Sequence, residues 1–115
     1  MPYIALTIED VIINKWEIIE EVVIFGRSKD SDIQIEDQSV SSKHARIVVE
    51  DDPYLDGQKH YYLEDLKSTN GTQINGQMIK KQKLNNEDQL KIGFSLFKFI
   101  DSKSNHLDET AVIVN

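Results

Sequence analysis

Residues 63–76 read LEDLKSTNGTQING and join short apolar runs through turn-forming residues. The run at 61–66, rich in Tyr and Leu, and the shorter run at 72–74 are typical of β-strands. Asn75-Gly76 follows directly, and this pair tolerates the positive φ angles of a tight hairpin. The stretch therefore predicts strand, loop, strand and turn, a succession typical of an all-β domain.

Short runs of this kind recur along the chain, and none shows a sustained helical period. In 32–35 and 90–92 apolar and polar side chains alternate, as a half-buried strand requires. A second turn pair, Asp56-Gly57, lies in an acidic segment that we expect to be an exposed hairpin connection. A helix over 11–23, resting on scattered Ile and Glu residues, is the competing prediction there. The predicted strands are 3–8, 15–20, 22–25, 32–35, 45–50, 61–66, 72–74, 89–92 and 95–100, which would pack as a β-sandwich.

Length and composition favour a single globular domain. The chain has 115 residues, 39% of them hydrophobic and 29% charged, and a chain of this size buries one core. No apolar run approaches the roughly 18 residues of a membrane span, and the N-terminus lacks a signal-peptide pattern. We therefore expect an intracellular protein, cytoplasmic or nuclear, that does not associate with membranes. The absence of cysteine excludes disulfides and thiolate chemistry.

The charge of the chain restricts its partners. A formal net charge of -7 opposes general affinity for nucleic acid or for an anionic membrane. Any anion must therefore be held by a local site. Of the thirteen basic residues, only Arg27 and Arg46 are arginines, the residue type whose planar fork suits phosphate.

Three predicted loops are dense in groups that can bind phosphate: 26–28, 39–44 and 67–72. A phosphate monoester needs an arginine fork together with hydroxyl and backbone N–H donors that converge on it. These loops supply that set of groups. Ser, Thr, Asn and Gly are also the ordinary residues of turns, so composition alone leaves three unremarkable loops as an open alternative.

Four separated blocks resemble the signature of the forkhead-associated (FHA) family: Gly26-Arg27-Ser28, SSKHARI at 41–47, LEDLKSTNGTQING at 63–76, and KIGF at 91–94. The blocks occur in the family's order over roughly residues 20–100. The resemblance implies an FHA-type β-sandwich of about eleven strands with its binding loops at one end. It also implies a module that binds phosphothreonine peptides and has no catalytic residues. We expect the domain at 1–100 and a tail or linker at 101–115.

The resemblance also assigns roles to individual residues. Arg27 is expected to contact the phosphate, and Ser41 to donate its hydroxyl to it. Ser42 holds a second position on the phosphate side. Thr69 is expected to line the phosphothreonine pocket, and Asn70 to hydrogen-bond the peptide backbone beside it.

Further residues are expected to support or border this site. Gly26, His44 and Gly71 are similar to structural positions of the family, His44 as a brace between loops. Lys43 and Lys67 are candidates for the rim, with a solvated lysine as the alternative for each. No metal ligand or cofactor is predicted.

The expected partner is a protein or peptide in which an upstream Ser/Thr kinase has phosphorylated a threonine. The module itself is expected to be a monomer. Open alternatives are an FHA-like adaptor for an unphosphorylated partner, the regulatory domain of a larger enzyme, and a phosphohydrolase. Family members commonly select the third residue after the phosphothreonine through loops around the site. The relevant stretch here, 37–40, contains no arginine, and we expect an aliphatic preference.

The last residues differ in composition from the domain. The polar stretch 101–109 precedes an apolar run at 111–114, which favours a strand extension or a linker. The alternative is a phosphosite at Thr110, with Ile113 at the third following position. Phosphorylated Thr110 would then bind the site of its own or a neighbouring molecule, producing phospho-dependent self-association.

Overall fold

The computed structural model describes residues 2–101. These residues form eleven β-strands, which confirms the predicted all-β class and the strand number that the FHA resemblance implied. The strands are β1 (Tyr3–Ile8), β2 (Val11–Glu17), β3 (Val22–Gly26), β4 (Ile33–Gln34), β5 (Ala45–Asp51), β6 (Lys59–Asp65), β7 (Thr72–Ile74), β8 (Gln77–Met78), β9 (Lys81–Lys83), β10 (Gln89–Ile92) and β11 (Ser95–Ile100).

Two sheets pack face to face. One has the strand order β2-β1-β11-β10-β7-β8, and the other β4-β3-β5-β6-β9. All the pairs are antiparallel except β3 with β4. Alternate side chains of both sheets meet in one core, in which the rings of Phe25 and Phe97 pack edge to face at 5.4 Å and Tyr61 packs against Phe99. A single continuous core of this kind fixes the two sheets relative to each other.

The second strand differs from its prediction. β2 begins at Val11 instead of residue 15 and ends at Glu17, and the competing helix over 11–23 is wrong. The turn before β2 is made by Glu9 and Asp10, both with positive φ angles of 49° and 65°. No glycine marks this turn, and the first residues of β2 point to solvent, so neither a turn signal nor an alternating pattern was available.

Two further strands, β8 and β9, were absent from the sequence prediction. Both are short and exposed, with apolar Met78 as the only departure from polar residues, and each lies at the edge of its sheet. Asn75-Gly76 forms the predicted turn before β8, with both φ angles positive. At Asp56-Gly57 only the glycine has a positive φ angle.

The antiparallel order gathers several loops at one end of the sandwich. β3 and β6 end there, and β5 and β7 begin there, since Phe25 pairs with Ala45 and Ala45 with Asp65. The loops 27–32, 35–44, 66–71 and 93–94 therefore lie together. The acidic connection 52–58 lies at the opposite end, after the seven residues of β5.

Candidate functional site

Arg27 is held beside the second loop by backbone pairing that continues past the end of β3. The Arg27 N–H donates to the Ser41 carbonyl at 3.0 Å, and the Ser28 N–H donates to the Ser42 carbonyl at 3.2 Å. This close approach requires glycine at position 26, because a Cβ there would overlap the Ser42 carbonyl. The Arg27 side chain is exposed at the end of the sandwich.

Ser41 links the second loop to the third. Its Oγ accepts the backbone N–H of Thr69 at 3.1 Å. Because the oxygen is already an acceptor in this bond, the hydroxyl hydrogen is available to a further acceptor. Ser42 and Thr69 are exposed next to Ser41. Arg27, Ser41, Ser42 and Thr69 are thus brought together from three loops.

His44 is completely buried and joins the same two loops. Its Nδ1 accepts the backbone N–H of Ser41 at 3.0 Å, and its Nε2 lies 2.8 Å from the Gly71 carbonyl oxygen. A carbonyl can only accept, so Nε2 carries the proton and the ring is neutral in this arrangement. The imidazole therefore fixes the spacing between Ser41 and Gly71, and Gly71 itself has a φ angle of 85° that favours glycine.

Asn70 contacts the protein as well as facing solvent. Its Nδ2 donates to the Ser39 carbonyl at 2.8 Å. One amide hydrogen therefore braces the second loop, while the exposed position of the side chain leaves the rest of the amide open to a ligand. The family-implied contact with a peptide backbone remains a proposal.

Asp65 organises the third loop and was missed by the sequence reasoning. Its Oδ1 accepts from the hydroxyls of Ser68 and Thr72, and its Oδ2 from the Ser68 N–H. Ser68 Oγ in turn accepts the Gly71 N–H at 2.9 Å. Burial alone would raise the pKa of Asp65, but the hydrogen bonds from Ser68 and Thr72 outweigh it and hold the pKa below its usual value. An aspartate followed three residues later by serine was the available signal, since this spacing is common in side-chain-capped turns.

The two lysines predicted for the rim have different surroundings. Lys43 Nζ lies 3.1 Å from Asp30 Oδ1, and both side chains are largely exposed. Asp30 also accepts a hydrogen bond from Ser28 Oγ; this bond and then Lys43 lower the pKa of Asp30. Lys67 is exposed in the third loop, with a φ angle of 57°. The predicted phosphosite Thr110 and the run 111–114 lie outside the described residues.

The FHA domain family model matches residues 23–93. This chain belongs to the FHA domain family. The resemblance predicted from the four sequence blocks is confirmed. A solved FHA domain structure, from work on phosphothreonine-dependent FHA domain interactions, superposes with a TM-score of 0.72 at 28% identity, covering 87% of this chain and 95% of that one. The predicted sandwich is therefore an FHA fold.

Two curated relatives are similar to most of the FHA domain. A probable serine/threonine-protein kinase, fhkA, of Dictyostelium discoideum is 42% identical over 82 residues, covering 67% of this chain and 14% of its own length. The oxoglutarate dehydrogenase inhibitor of Corynebacterium jeikeium (strain K411) is 34% identical over 74 residues, covering 64% of this chain and 46% of its own length. The chain thus spans less than half of either relative. Residues 2–101 contain no helix that is long and hydrophobic enough to cross a membrane.

Proposed function

We propose that this FHA domain binds phosphothreonine peptides through the loops at one end of the sandwich and has no catalytic activity of its own. The observation that carries the proposal is the meeting of Arg27, Ser41 and Thr69, which two direct hydrogen bonds hold together. The fork of Arg27 and the free hydroxyl hydrogen of Ser41 supply donors of the kind that a phosphate dianion requires. The family match and the phosphothreonine dependence named for the similar FHA domain support it.

Each residue has a defined part in this binding. Arg27 contacts the phosphate oxygens in a forked geometry, Ser41 donates its hydroxyl hydrogen, and Ser42 contributes from the second phosphate-side position. Thr69 lines the pocket for the threonine methyl, and the free part of the Asn70 amide binds the peptide backbone. Lys43, already paired with Asp30, adds charge at the rim, as does Lys67 in the third loop.

Affinity follows from these contacts after the costs of binding are subtracted. Each charge-assisted hydrogen bond contributes about 1.5–3 kcal/mol, from which peptide ordering and desolvation of the dianion are deducted. A dissociation constant in the micromolar range is expected, which corresponds to a binding free energy of about -8 kcal/mol. Phosphothreonine is favoured over phosphoserine by the burial of one methyl group, about 0.8 kcal/mol or roughly fourfold.

The wider setting follows from the same proposal. The domain at 1–100 acts inside the cell and binds phosphothreonine that a Ser/Thr kinase has produced, and 101–115 is a tail or linker. A regulatory position inside a larger protein is compatible with the kinase relative, of which the matched region is only 14%.

The two arginines allow a matched test by calorimetry with a phosphothreonine peptide and its unphosphorylated form. Arg27→Lys keeps the charge but loses the fork, and is expected to weaken binding at least tenfold. Arg46→Lys is the control, because Arg46 pairs with Glu64 on the sheet and not with the loops. An Arg27→Lys variant within twofold of wild type would contradict the proposal. Equal binding of the unphosphorylated peptide would favour a phosphate-independent adaptor instead.

A further inference from the structure

Strand β2 forms an apolar edge that the described part of the chain leaves uncovered. It is the first strand of the order β2-β1-β11-β10-β7-β8, so β1 is the one described strand that pairs with it. Val11, Ile12 and Ile13 are 60%, 52% and 55% exposed, and Ile8 across the turn is 58% exposed. An open strand edge with exposed apolar side chains is a template for pairing with another strand.

The other three sheet edges formed by residues 2–101 are poorer templates. β4 and β8 have two residues each and β9 has three, whereas β2 has seven. β9 consists of Lys81-Gln82-Lys83, and lysines on an edge strand oppose pairing with a further strand. β2 contains a single lysine, Lys15, and begins with three apolar residues. The edge of β2 is therefore the one best suited to accept a further strand.

Strand β11 ends close to this edge. Ile100 at the end of β11 pairs with Tyr3, and Tyr3 pairs with Glu17 at the end of β2. Neighbouring strands lie about 4.8 Å apart, so a strand added outside β2 would lie about 14 Å from β11. The stretch 101–109 extends up to about 30 Å at roughly 3.3 Å per residue. The chain that follows can therefore reach the open edge, reverse its direction and run antiparallel to β2.

Residues 109–113 fit β2 in one antiparallel register. They are Glu-Thr-Ala-Val-Ile, and Val and Ile favour strands. With Glu109 opposite Lys15, Val112 lies opposite Ile12, and the next residue of each strand is also apolar. Opposite charges in facing positions stabilise a sheet, and the facing apolar side chains shield one another from water. This register therefore satisfies both the charge and the apolar residues of β2.

We propose that residues 109–113 add a strand to the open edge of β2 within the same molecule. The sequence offered a strand extension or a linker for the run 111–114, and the geometry of the sheets now selects the edge. A tether raises the effective concentration of the segment toward roughly millimolar, so that it outcompetes a second copy of the chain at micromolar concentration. Thr110 then lies opposite Asn14, so this pairing and the binding of phosphorylated Thr110 to the phosphate site exclude each other. The inference does not depend on the proposed function.

Amide hydrogen exchange of β2, measured by NMR in the whole chain, tests the added strand. The double variant Val112→Asp with Ile113→Asp removes the apolar contacts. The double variant Ser102→Asp with Ser104→Asp is the matched control, because it adds the same charge outside the pairing segment. The β2 amides that do not bond to β1 are expected to exchange at least tenfold faster in the first variant and at the wild-type rate in the control. The amides of β9, on the edge strand of the other sheet, should be unchanged in both.

Charge reversal tests the register. Lys15→Glu places a like charge opposite Glu109 and is expected to speed exchange of the β2 amides about fivefold. Adding Glu109→Lys should restore the wild-type rate, and failure to restore it would overturn the register. Equal exchange in wild type and in the first aspartate variant would overturn the added strand itself. Protection of β2 that increases with protein concentration would overturn it too, because a second copy would then occupy the edge.

Discussion

Removal of the His44 imidazole is expected to damage both the stability of the domain and its ligand binding. In His44→Ala the Ser41 N–H loses its acceptor and the Gly71 carbonyl loses its donor. A buried polar group left unsatisfied costs about 1–3 kcal/mol, and the cavity left by a fully buried ring adds to this. The expected loss is about 3–5 kcal/mol of the free energy of unfolding, a large part of the typical 5–15 kcal/mol for a domain.

The effect on binding has a separate cause. The bond from Ser41 to His44 orients the residue that we propose as a phosphate donor. If that one charge-assisted hydrogen bond is lost, about 1.5–3 kcal/mol disappears, and affinity falls about tenfold to a hundredfold. Urea unfolding measures the first effect. Calorimetry with a phosphothreonine peptide, at a temperature where the variant is folded, measures the second.

Two amide variants distinguish a positioning role from simple loss of packing. The amide of asparagine overlies the Nδ1 side of the imidazole, so His44→Asn can still accept the Ser41 N–H. The longer side chain of glutamine reaches the Nε2 side, so His44→Gln can still donate to the Gly71 carbonyl. We expect His44→Asn to retain more phosphopeptide affinity than His44→Gln, even at similar stability. Equal affinity in both, or affinity in folded His44→Ala within twofold of wild type, would refute the positioning role.

Three other predictions concern single residues. Asn70→Ala should weaken all phosphothreonine peptides by a similar factor, and an array showing a changed sequence preference instead would argue against backbone reading. Asp65→Asn should lower the urea midpoint at pH 7. Because the hydrogen bonds from Ser68 and Thr72 hold the folded pKa of Asp65 below its usual value, the stabilisation is present above the unfolded pKa and lost as pH falls through the folded pKa. The midpoints of wild type and variant should therefore converge in acid, and a constant difference down to pH 2 would oppose this. Phosphorylation of Thr110 should either block an external phosphopeptide or produce dimers, because a tether raises effective concentration toward roughly millimolar; unchanged mass and affinity would leave the tail as strand or linker.

Strand prediction succeeded where one face of a strand meets the core and the other meets solvent. β7, β10 and β11 have the predicted bounds because their alternating side chains face either the core or solvent. β2 and β9 lack that contrast, since nearly all their side chains are exposed. Their pairing depends on the neighbouring strand, which is information that a local pattern does not contain.

The candidate site likewise contains residues that local motifs predicted and contacts that they did not. Short motifs contained Arg27, Ser41 and Asn70, and the family order singled them out from ordinary turn residues. The contact between Ser39 and Phe94 joins residues 55 positions apart, and no local signal predicts which distant turn will pack on a given loop.

The net charge of -7 does not prevent the proposed binding of a dianion, because many of the acidic residues lie far from the site. Several acidic residues lie at 50–56, and β5 separates them from the site by about 23 Å at roughly 3.3 Å per residue. Fields are screened over about 8 Å at physiological ionic strength, so this repulsion is weak at the site under those conditions. Near Arg27 the charge of Asp30 is paired with Lys43, whereas Asp65 accepts hydrogen bonds from Ser68 and Thr72 and keeps its charge. The overall charge therefore slows the approach of an anionic peptide at low ionic strength, whereas the local donors determine how tightly it is held.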